Sequence, residues 1–233
     1  MSNHWEDNIY QKGLHLNRYP FGELISIFYN ALAYLETGDE KQSVLELGCG
    51  AGNNLWFFAE NGFNTVGIDG SSSACKIAES LLAKRQLAAS VHCMNFDDIT
   101  EEMGKFDIII DRAATYCAPF DTRQIWWQNI LKCLKPGGVV ISFNFDKSSI
   151  WYQKSVNEPG FATRVAEDTY SGFAYGALKD TGVSHFVDQH SLENLFSPLQ
   201  TIQILHHQCN PVGEVKLDYA YSELIYVGRK TKA

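Results

Sequence analysis

Three glycines and one carboxylate stand where a nucleoside could bind. Gly48, Gly50 and Gly52 alternate directly after an apolar segment, and Asp69 ends the next apolar segment seventeen positions beyond the last glycine. Glycine has no Cβ, so the backbone can turn sharply there and approach a ligand closely. A carboxylate at the end of the second strand can accept hydrogen bonds from both hydroxyls of a ribose. The spacing therefore predicts a site for a nucleoside cofactor.

The order of the glycines separates one class of cofactor from another. Nicotinamide and flavin sites use Gly-x-Gly-x-x-Gly and present a free helix N-terminus to a pyrophosphate. This chain has Gly-x-Gly-x-Gly, and Glu46 precedes it at the end of the strand. A carboxylate is a poor neighbour for phosphate but a good one for an ammonium group or a polar water network. The pattern therefore argues against a nicotinamide oxidoreductase, which would prefer NAD.

Four motifs in order resemble those of the class I S-adenosyl-L-methionine (SAM)-dependent methyltransferases. Residues 46–52 resemble the family's glycine motif, Glu/Asp-x-Gly-x-Gly-x-Gly, and Asp69 matches its acidic ribose-binding position. Residues 94–99 resemble the adenine-side loop, residues 106–111 the fourth strand, and residues 134–138 the turn into the fifth strand. Asn95 replaces the usual Asp, so its contact with the adenine amino group would be neutral. The resemblance is close over residues 40–145 and implies SAM as cofactor and S-adenosylhomocysteine (SAH) as product.

The resemblance also implies which residues meet the cofactor. Asp69 would hold the ribose, and Asn95 and Phe96 would flank the adenine. The carbonyls of Gly48 and Arg112 would lie near the methionine portion. Asn53 or Asn54 would contact the methionine carboxylate or, as is commoner for this residue type, cap the next helix. The complete predicted cofactor set is Arg18, Glu46, Gly48, Cys49, Gly50, Gly52, Asn53, Asn54, Asp69, Gly70, Ser71, Asn95, Phe96, Asp111 and Arg112.

Fewer residues are candidates for catalysis than for cofactor binding. A hydroxyl nucleophile usually needs a base, whereas an amine needs only to arrive unprotonated. Asp111, Arg112 and His185 are the catalytic candidates, although His185 also fits a half-buried strand residue. In the donor-rich segment 15–20, Arg18 is expected either to pair with the methionine carboxylate or an acidic substrate, or to lie in solvent. The sequence Arg-Ala-Ala-Thr-Tyr from position 112 lacks the Asn/Asp-Pro-Pro-Tyr motif of enzymes that methylate bases or glutamine amides.

The composition indicates a globular chain without affinity for polyanions. Its 233 residues are 45% apolar and 20% charged, and 19 basic against 27 acidic residues leave a net charge of −8. This balance argues against nucleic-acid binding. No membrane span, secretory signal or metal-ligand spacing is evident. The scattered cysteines predict reduced thiols in a cytoplasmic protein: Cys49, Cys75, Cys93, Cys117, Cys133 and Cys209.

Short apolar strands alternate with amphipathic helices through the first 145 residues. The patterns predict helices at residues 21–35, 53–60, 71–87 and 121–134, and strands at 43–48, 64–68, 90–95, 106–111 and 138–145. This alternation predicts a doubly wound α/β fold, a parallel sheet with helices on both faces. A short helix at 191–196 and late strands at 200–208 and 217–229 follow. The resemblance makes these strands the antiparallel C-terminal end of a Rossmann-like, seven-stranded sheet.

One methyltransferase domain accounts for the whole chain, residues 1–233. It is predicted to comprise an N-terminal helical cap (1–38), a cofactor-binding core (40–145), a substrate-binding insertion or lid (146–183), and a terminal helix and hairpin (184–233). The insertion is predicted because the regular pattern stops there and aromatic residues accumulate.

The predicted activity is methyl transfer from SAM to oxygen or nitrogen of a small polar metabolite by a monomer or homodimer. A sugar or nucleotide-sugar is the suggested substrate, because aromatic faces can stack on sugar rings. Two alternatives are a non-catalytic SAM-binding module and a protein methyltransferase.

Overall fold

The computed structural model describes residues 4–14, 16–38, 41–209 and 221–232. Its α-helices, numbered in chain order, are α1 (Gly22–Ala31), α2 (Leu55–Glu60), α3 (Ser72–Arg85), α4 (Phe120–Ile130), α5 (Ile150–Asn157) and α6 (Gln189–Leu195). Its strands are β1 (Ser43–Leu47), β2 (Asn64–Asp69), β3 (Ala89–Cys93), β4 (Phe106–Arg112), β5 (Leu134–Phe145), β6 (Thr163–Ala166), β7 (Thr169–Ser171), β8 (Ser184–His185), β9 (Gln200–Cys209) and β10 (Tyr221–Arg229).

Seven strands form the main sheet in the order β3-β2-β1-β4-β5-β10-β9. The first five strands of this order, β3 to β5, pair in parallel with one another. Strand β10 runs antiparallel to both β5 and β9. The predicted fold class is therefore confirmed: a Rossmann-like, mostly parallel sheet with an antiparallel strand near its C-terminal end. The first four residues of the predicted strand 217–229 lie outside the described residues. Because the parallel strands share a direction, the ends of β1, β2, β4 and β5 meet at one edge.

Apolar periodicity places helices on both faces of this sheet. On one face, α1 buries Leu24, Ile27 and Phe28 against the strands. On the other, α4 buries Trp126 and Trp127 together with residues of α6. Both helix faces repeat at three and four residues, as an amphipathic helix requires. Between these layers, β1, β4 and β5 are buried on both sides, whereas the edge strands β3 and β9 are partly exposed.

Two predicted helix starts are wrong, and local hydrogen bonds explain each difference. α2 begins at Leu55 rather than at position 53, because the preceding asparagines extend the turn and bond to other segments. α6 begins at Gln189 rather than at position 191. Asp188 caps it by accepting from the Ser191 backbone N–H, and the Ser191 hydroxyl accepts from the Asp188 N–H in return.

The insertion after β5 has a small core of its own. It contains α5 and the strands β6 and β7, which pair with β8 in a three-stranded antiparallel sheet. Most of its aromatic side chains are buried in this core, whereas Tyr152 is partly exposed and Tyr175 is exposed. The buried members of this core are Trp151, Phe161, Tyr170, Phe173, Leu178 and Phe186.

Candidate functional site

The glycine loop lies between β1 and α2, and each of its glycines has a positive φ. A Cβ on Gly48 (φ +63°) would lie 2.3 Å from the Ala114 Cβ, so the loop packs directly on the turn after β4. A Cβ on Gly50 (φ +54°) would lie 2.5 Å from the Tyr10 hydroxyl. Both the conformation and the close approach therefore require glycine.

Asp69 holds the loop in shape at the end of β2. One of its oxygens accepts from the Gly50 N–H (2.9 Å) and the other from the Ser71 N–H (2.8 Å). The side chain is 9% exposed, and burial raises its pKa although the two N–H groups oppose that shift. Carboxylate oxygens have about four lone-pair sites between them, so capacity remains for ribose hydroxyls.

Glu46 lies beneath the loop and connects it to the start of α1. Its Oε1 accepts from Asn54 Nδ2 at 2.6 Å, and Asn54 Oδ1 in turn accepts from the Phe21 N–H at 3.1 Å. Among the residues that the structure describes, the buried Glu46 Oε2 has no hydrogen-bond partner. Burial raises the pKa of Glu46 to about 8. Once the carboxyl loses its proton, this oxygen is an open acceptor that suits a donor on a ligand, such as an ammonium group.

The asparagines do not cap α2. Asn54 stands at the N-cap but makes no side-chain capping bond, since it is engaged by Glu46 and Phe21. Asn53 Nδ2 donates to the Tyr19 carbonyl at 3.1 Å. The favoured capping role is therefore wrong, because both side chains attach residues 19–21 to the loop.

A helical turn near the N-terminus covers the loop, and its two key residues were not predicted. The carboxylate of Glu6, in the π-helical turn Glu6–Tyr10, accepts from the Ser71 hydroxyl, the Ser73 N–H (3.0 Å) and the Ser73 hydroxyl (2.7 Å). These bonds lower the pKa of Glu6 to about 2. Tyr10, at the other end of the turn, stands over Gly50. The available signal was an acidic residue four positions before a tyrosine in a short amphipathic segment.

On the adenine side, Phe96 and Asn95 lie beside the loop as expected. Phe96 would come within 3.8 Å of a Cβ added to Gly48, and it packs edge-on against Trp126, with ring centroids 5.1 Å apart. Asn95 is exposed, and its Oδ1 would lie 3.3 Å from a Cβ on Gly70. Both residues can therefore line one wall of the site.

Three other predicted cofactor residues stabilise the loop and the helix after β2 through a capping bond or through packing. Ser71 caps α3 by accepting from the Ala74 N–H at 3.0 Å. Gly52 leaves room for Ala78, whose Cβ would lie 2.9 Å from an added Cβ. Cys49 is buried against Gly67 of β2, so its thiol points away from the loop's open side.

The two candidates at the end of β4 are occupied by structural contacts. Asp111 is fully buried, and its oxygens accept from four donors: Ala114 N–H (2.8 Å), Thr115 N–H (3.1 Å), Thr115 Oγ1 (2.6 Å) and Ser142 Oγ (2.8 Å). Arg112 pairs with Glu223 at 3.0 Å and stacks over Phe21, with its guanidinium carbon 4.3 Å from the ring centroid. The Asp111 carboxylate is thus fully engaged by neighbouring donors, and the Arg112 side chain connects β4 with β10. The catalytic roles of both residues, and the contact of the Arg112 carbonyl with the cofactor, stay predictions.

His185 is buried in a strand and Arg18 is exposed, as the second of the two alternatives for each residue describes. His185 is 3% exposed in β8, and burial together with the charge of Arg123 lowers its pKa to about 3. An imidazole with so low a pKa is a poor base near neutral pH. The burial fits the strand interpretation, and the catalytic role of His185 stays a prediction. Arg18 is exposed, with its guanidinium 5.7 Å from the Tyr19 ring centroid. His15, its neighbour in the same segment, lies outside the described residues.

These observations fit a SAM site. The loop leaves no room for side chains beside Gly48 and Gly50, Asp69 is held with lone pairs to spare, and Glu46 has an open buried oxygen.

No helix in the described part of the chain is long and apolar enough to cross a membrane.

Comparison with known proteins finds similarity to methyltransferases. A family model described as "Methyltransferase domain" matches residues 44–138. The chain is 29% identical over 119 residues to a 2-heptyl-1-hydroxyquinolin-4(1H)-one methyltransferase of Mycobacteroides abscessus, spanning 51% of this chain and 52% of that protein. It is 28% identical over 177 residues to a thiopurine S-methyltransferase of Vibrio cholerae, spanning 71% of this chain and 76% of that protein. The chain thus spans about half the length of the first relative.

Solved structures show the same fold. A SAM-dependent methyltransferase from Methanosarcina mazei superposes with a TM-score of 0.71 at 18% identity, covering 92% of this chain and all of that one. The 1,6-didemethyltoxoflavin-N1-methyltransferase of Burkholderia thailandensis, solved with 1,6-didemethyltoxoflavin and SAH, gives 0.66 at 15% identity, covering 96% and 84%. The chain therefore has the fold of the SAM-dependent methyltransferases, and its residues 44–138 match a methyltransferase domain.

Proposed function

We propose that this protein transfers the methyl group of SAM to an ionisable oxygen, nitrogen or sulfur of a small polar metabolite. The observation that carries the proposal is the position of Asp69, whose two oxygens are fixed by the Gly50 and Ser71 N–H groups beside a glycine loop that excludes side chains. The relatives support the substrate class, because they are named for a hydroxyquinolinone and a thiopurine, both ring compounds with an ionisable substituent.

In this proposal the chain binds SAM and the acceptor, orients them, and excludes water from the reacting atoms. SAM, when bound, supplies the electrophilic methyl group; Asp69 holds the ribose and Glu46 the amino end. Charge disappears from the sulfonium during transfer, so anionic contacts at the sulfur would favour the ground state. Neutral backbone near Gly48 and Ala114 avoids that cost. Residues 4–14 then cover the loop and keep water from the reacting atoms, which alignment-driven catalysis requires.

The acceptor side is proposed to lie between the turn after β4 and the insertion. The Asn8 amide donates to the Asp180 carbonyl at 3.4 Å, and His4 packs against Gly182, so the N-terminal helix connects the loop with the insertion. The suggestion of a sugar substrate has lost its main support, because four of the insertion's aromatic rings are buried in its own core. An ionisable ring compound fits the relatives better.

The test is transfer of tritium from methyl-labelled SAM to a panel of small acceptors that includes 1-hydroxyquinolin-4(1H)-one, 6-mercaptopurine, phenols and sugars. The proposal expects label in at least one ionisable ring compound. Label in protein alone would support a protein methyltransferase instead. SAM binding by calorimetry with no transfer to any acceptor would support a non-catalytic module.

A further inference from the structure

A cavity of about 380 Å³ lies between the start of α4, the turn that joins β6 to β7, strand β8 and the start of α6. Among the described residues that line it, carboxylates outnumber cationic side chains. The charged members of the lining are Asp121, Glu167, Asp168, Asp188 and Lys147. A cavity with this lining attracts cations and repels anions.

The lysine in the lining does not offset the two outer carboxylates. Lys147 Nζ is 2.6 Å from an Asp168 oxygen and 2.8 Å from an Asp188 oxygen, so its charge is shared between these two residues. Asp188 also caps α6. The carboxylates of Asp121 and Glu167 are exposed, and within the described ranges neither has an ion pair or a hydrogen bond. Their charges are therefore available to a ligand.

A buried hydrogen-bond acceptor belongs to the same lining. His185 is 3% exposed, and its Nδ1 lies 2.8 Å from Thr169 Oγ1, which donates its own proton to the Glu167 carbonyl (2.7 Å). His185 therefore donates from Nδ1, and its Nε2 keeps a lone pair with no partner in the part of the chain described. Thr169 does not line the cavity, whereas Phe120, with its ring centroid 5.8 Å from that of His185, does. The unpartnered edge of the imidazole is thus the edge that faces the cavity.

The group that satisfies His185 Nε2 has to be an uncharged donor. Burial and the charge of Arg123 lower the pKa of His185 to about 3, so the imidazole is neutral and accepts a hydrogen bond near neutral pH. The same Arg123 charge would repel an ammonium group placed directly against Nε2. A hydroxyl or a neutral N–H suits this atom, and a cationic group suits the exposed carboxylates of Asp121 and Glu167.

The rest of the lining favours an organic cation over a metal ion. No group of three or more His, Cys, Asp or Glu side chains in the described residues is placed to hold a metal ion. Pro119, Phe120 and Ala166 also line the cavity and offer apolar surface to a carbon skeleton. Small-molecule sites typically combine such surface with a few polar groups that fix orientation.

We propose that this cavity binds a small organic amine, whose ammonium group pairs with Asp121 and Glu167 while a hydroxyl or neutral N–H of the same molecule donates to His185 Nε2. Each of the two ends of the molecule then meets a group that the described chain leaves open.

The cavity lies beside the turn that supports the cofactor loop. Strand β8 packs against the Thr115–Cys117 turn, and Ala114, the residue before that turn, packs on Gly48. Binding of the amine does not itself require methyl transfer, so the site goes beyond the proposed function.

The experiment uses three probes that share a ring and differ in one group each. Tyramine has both an ammonium group and a phenol hydroxyl, 2-phenylethylamine lacks the hydroxyl, and 4-(2-hydroxyethyl)phenol has a neutral hydroxyl in place of the ammonium group. Ligand-observed NMR titrations at pH 7 measure each affinity. The wild type should bind tyramine about tenfold tighter than 4-(2-hydroxyethyl)phenol, because two exposed ion pairs are lost. It should bind tyramine about fivefold tighter than 2-phenylethylamine, because one hydrogen bond is lost.

Two variants assign these preferences to their residues. The double variant Asp121→Asn/Glu167→Gln should lose the preference for the ammonium group and keep the preference for the phenol hydroxyl. His185→Phe should do the reverse. Glu193→Gln removes the same charge from an exposed position of α6 outside the cavity lining, so it should keep both preferences.

The outcome that overturns the proposal is a wild type that binds tyramine no better than 4-(2-hydroxyethyl)phenol, or a double variant that keeps the ammonium preference. The double variant should melt within about 2 °C of the wild type, because both substitutions are at exposed positions. Should His185→Phe fail to fold, ¹⁵N NMR of the wild-type imidazole replaces it. The His185 Nε2 resonance should move on addition of tyramine and not of 2-phenylethylamine; an equal response to both would contradict the hydrogen bond.

Discussion

The glycine-loop edge and the acceptor side meet at the turn after β4, yet they satisfy their polar groups differently. Around the loop, Asp69 is bonded to Gly50 and Ser71, and Glu6 to Ser71 and Ser73, while Glu46 keeps one buried oxygen without a partner in the described chain. On the acceptor side, polar atoms of Arg123, Ser184 and His185 are buried without partners in the described chain. The loop is thus largely held by the protein's own hydrogen bonds, whereas the acceptor side leaves several buried polar atoms open.

This difference matches what each ligand demands. A cofactor common to a family can be recognised by backbone N–H groups and one carboxylate, which hold their geometry unaided. An acceptor differs from one enzyme to the next, so its recognition rests on side chains contributed by separate elements. Preorganisation at the loop also keeps the cofactor's binding cost low. The predictions below test whether the two regions can be changed separately.

The largest expected effect concerns the turn that the two regions share. Asp111→Ala removes the acceptor for four hydrogen bonds and leaves Arg123 without its nearest negative charge. We expect a loss of about 3–5 kcal/mol in the free energy of unfolding, measured by urea denaturation. Asp121→Ala, at the exposed start of α4, is the matched control. If Asp111→Ala kept full stability and lost only activity, Asp111 would be a catalytic residue after all.

Asp69→Asn should affect the loop alone. The amide keeps the shape of the carboxylate but cannot accept from both N–H groups and the ribose together, so SAM affinity should fall about 100-fold. Equilibrium dialysis with labelled SAM measures it, and Glu79→Gln on the exposed face of α3 is the control. Unchanged affinity would remove Asp69 from the site.

The protonation of Glu46 offers a smaller effect at the same loop. With its pKa near 8 the free protein holds a neutral carboxyl at pH 7, and the stability it contributes is lost as the pH rises from about 4.5 through 8. A cationic ligand favours the carboxylate, so SAM binding at pH 7 should release up to about one proton and strengthen as the pH rises toward 8. Calorimetry in phosphate and Tris buffers counts the protons. Glu46→Gln should release none; equal release from both proteins would exclude Glu46.

The smallest effect is expected at Arg18. Its guanidinium is exposed beside Tyr19, so Arg18→Ala should change SAM affinity by less than about 0.5 kcal/mol. The same calorimetric titration measures it. A tenfold loss would show that the N-terminal segment moves on binding and brings Arg18 to the methionine carboxylate.

The loop and the sheet could be predicted because their signals are local. Gly48, Gly50 and Gly52 are nearly consecutive, and strand and helix periods are visible in short windows. The role of Glu6 could not be predicted in this way, because its partner Ser71 is 65 residues away and only the fold brings the two residues together. The same holds for the asparagines after the loop, which bond to Tyr19 and Phe21 instead of capping a helix.

On the acceptor side, composition misled the interpretation. Aromatic residues of the insertion suggested a stacking surface, yet Trp151 and Phe161 pack on each other in a separate core. Arg123 carried a usable signal, a charged residue on the apolar face of α4 one turn before two tryptophans. Its depth and its missing partners are tertiary properties that a short sequence window does not show.

The most direct test of the central claim is a calorimetric titration of the purified protein with SAH and, separately, with NAD. The glycine loop, Asp69 and Glu46 predict one binding site for SAH and no heat with NAD. Binding of NAD at this site, or the absence of SAH binding at millimolar concentration, would contradict the assignment of the loop and everything built on it.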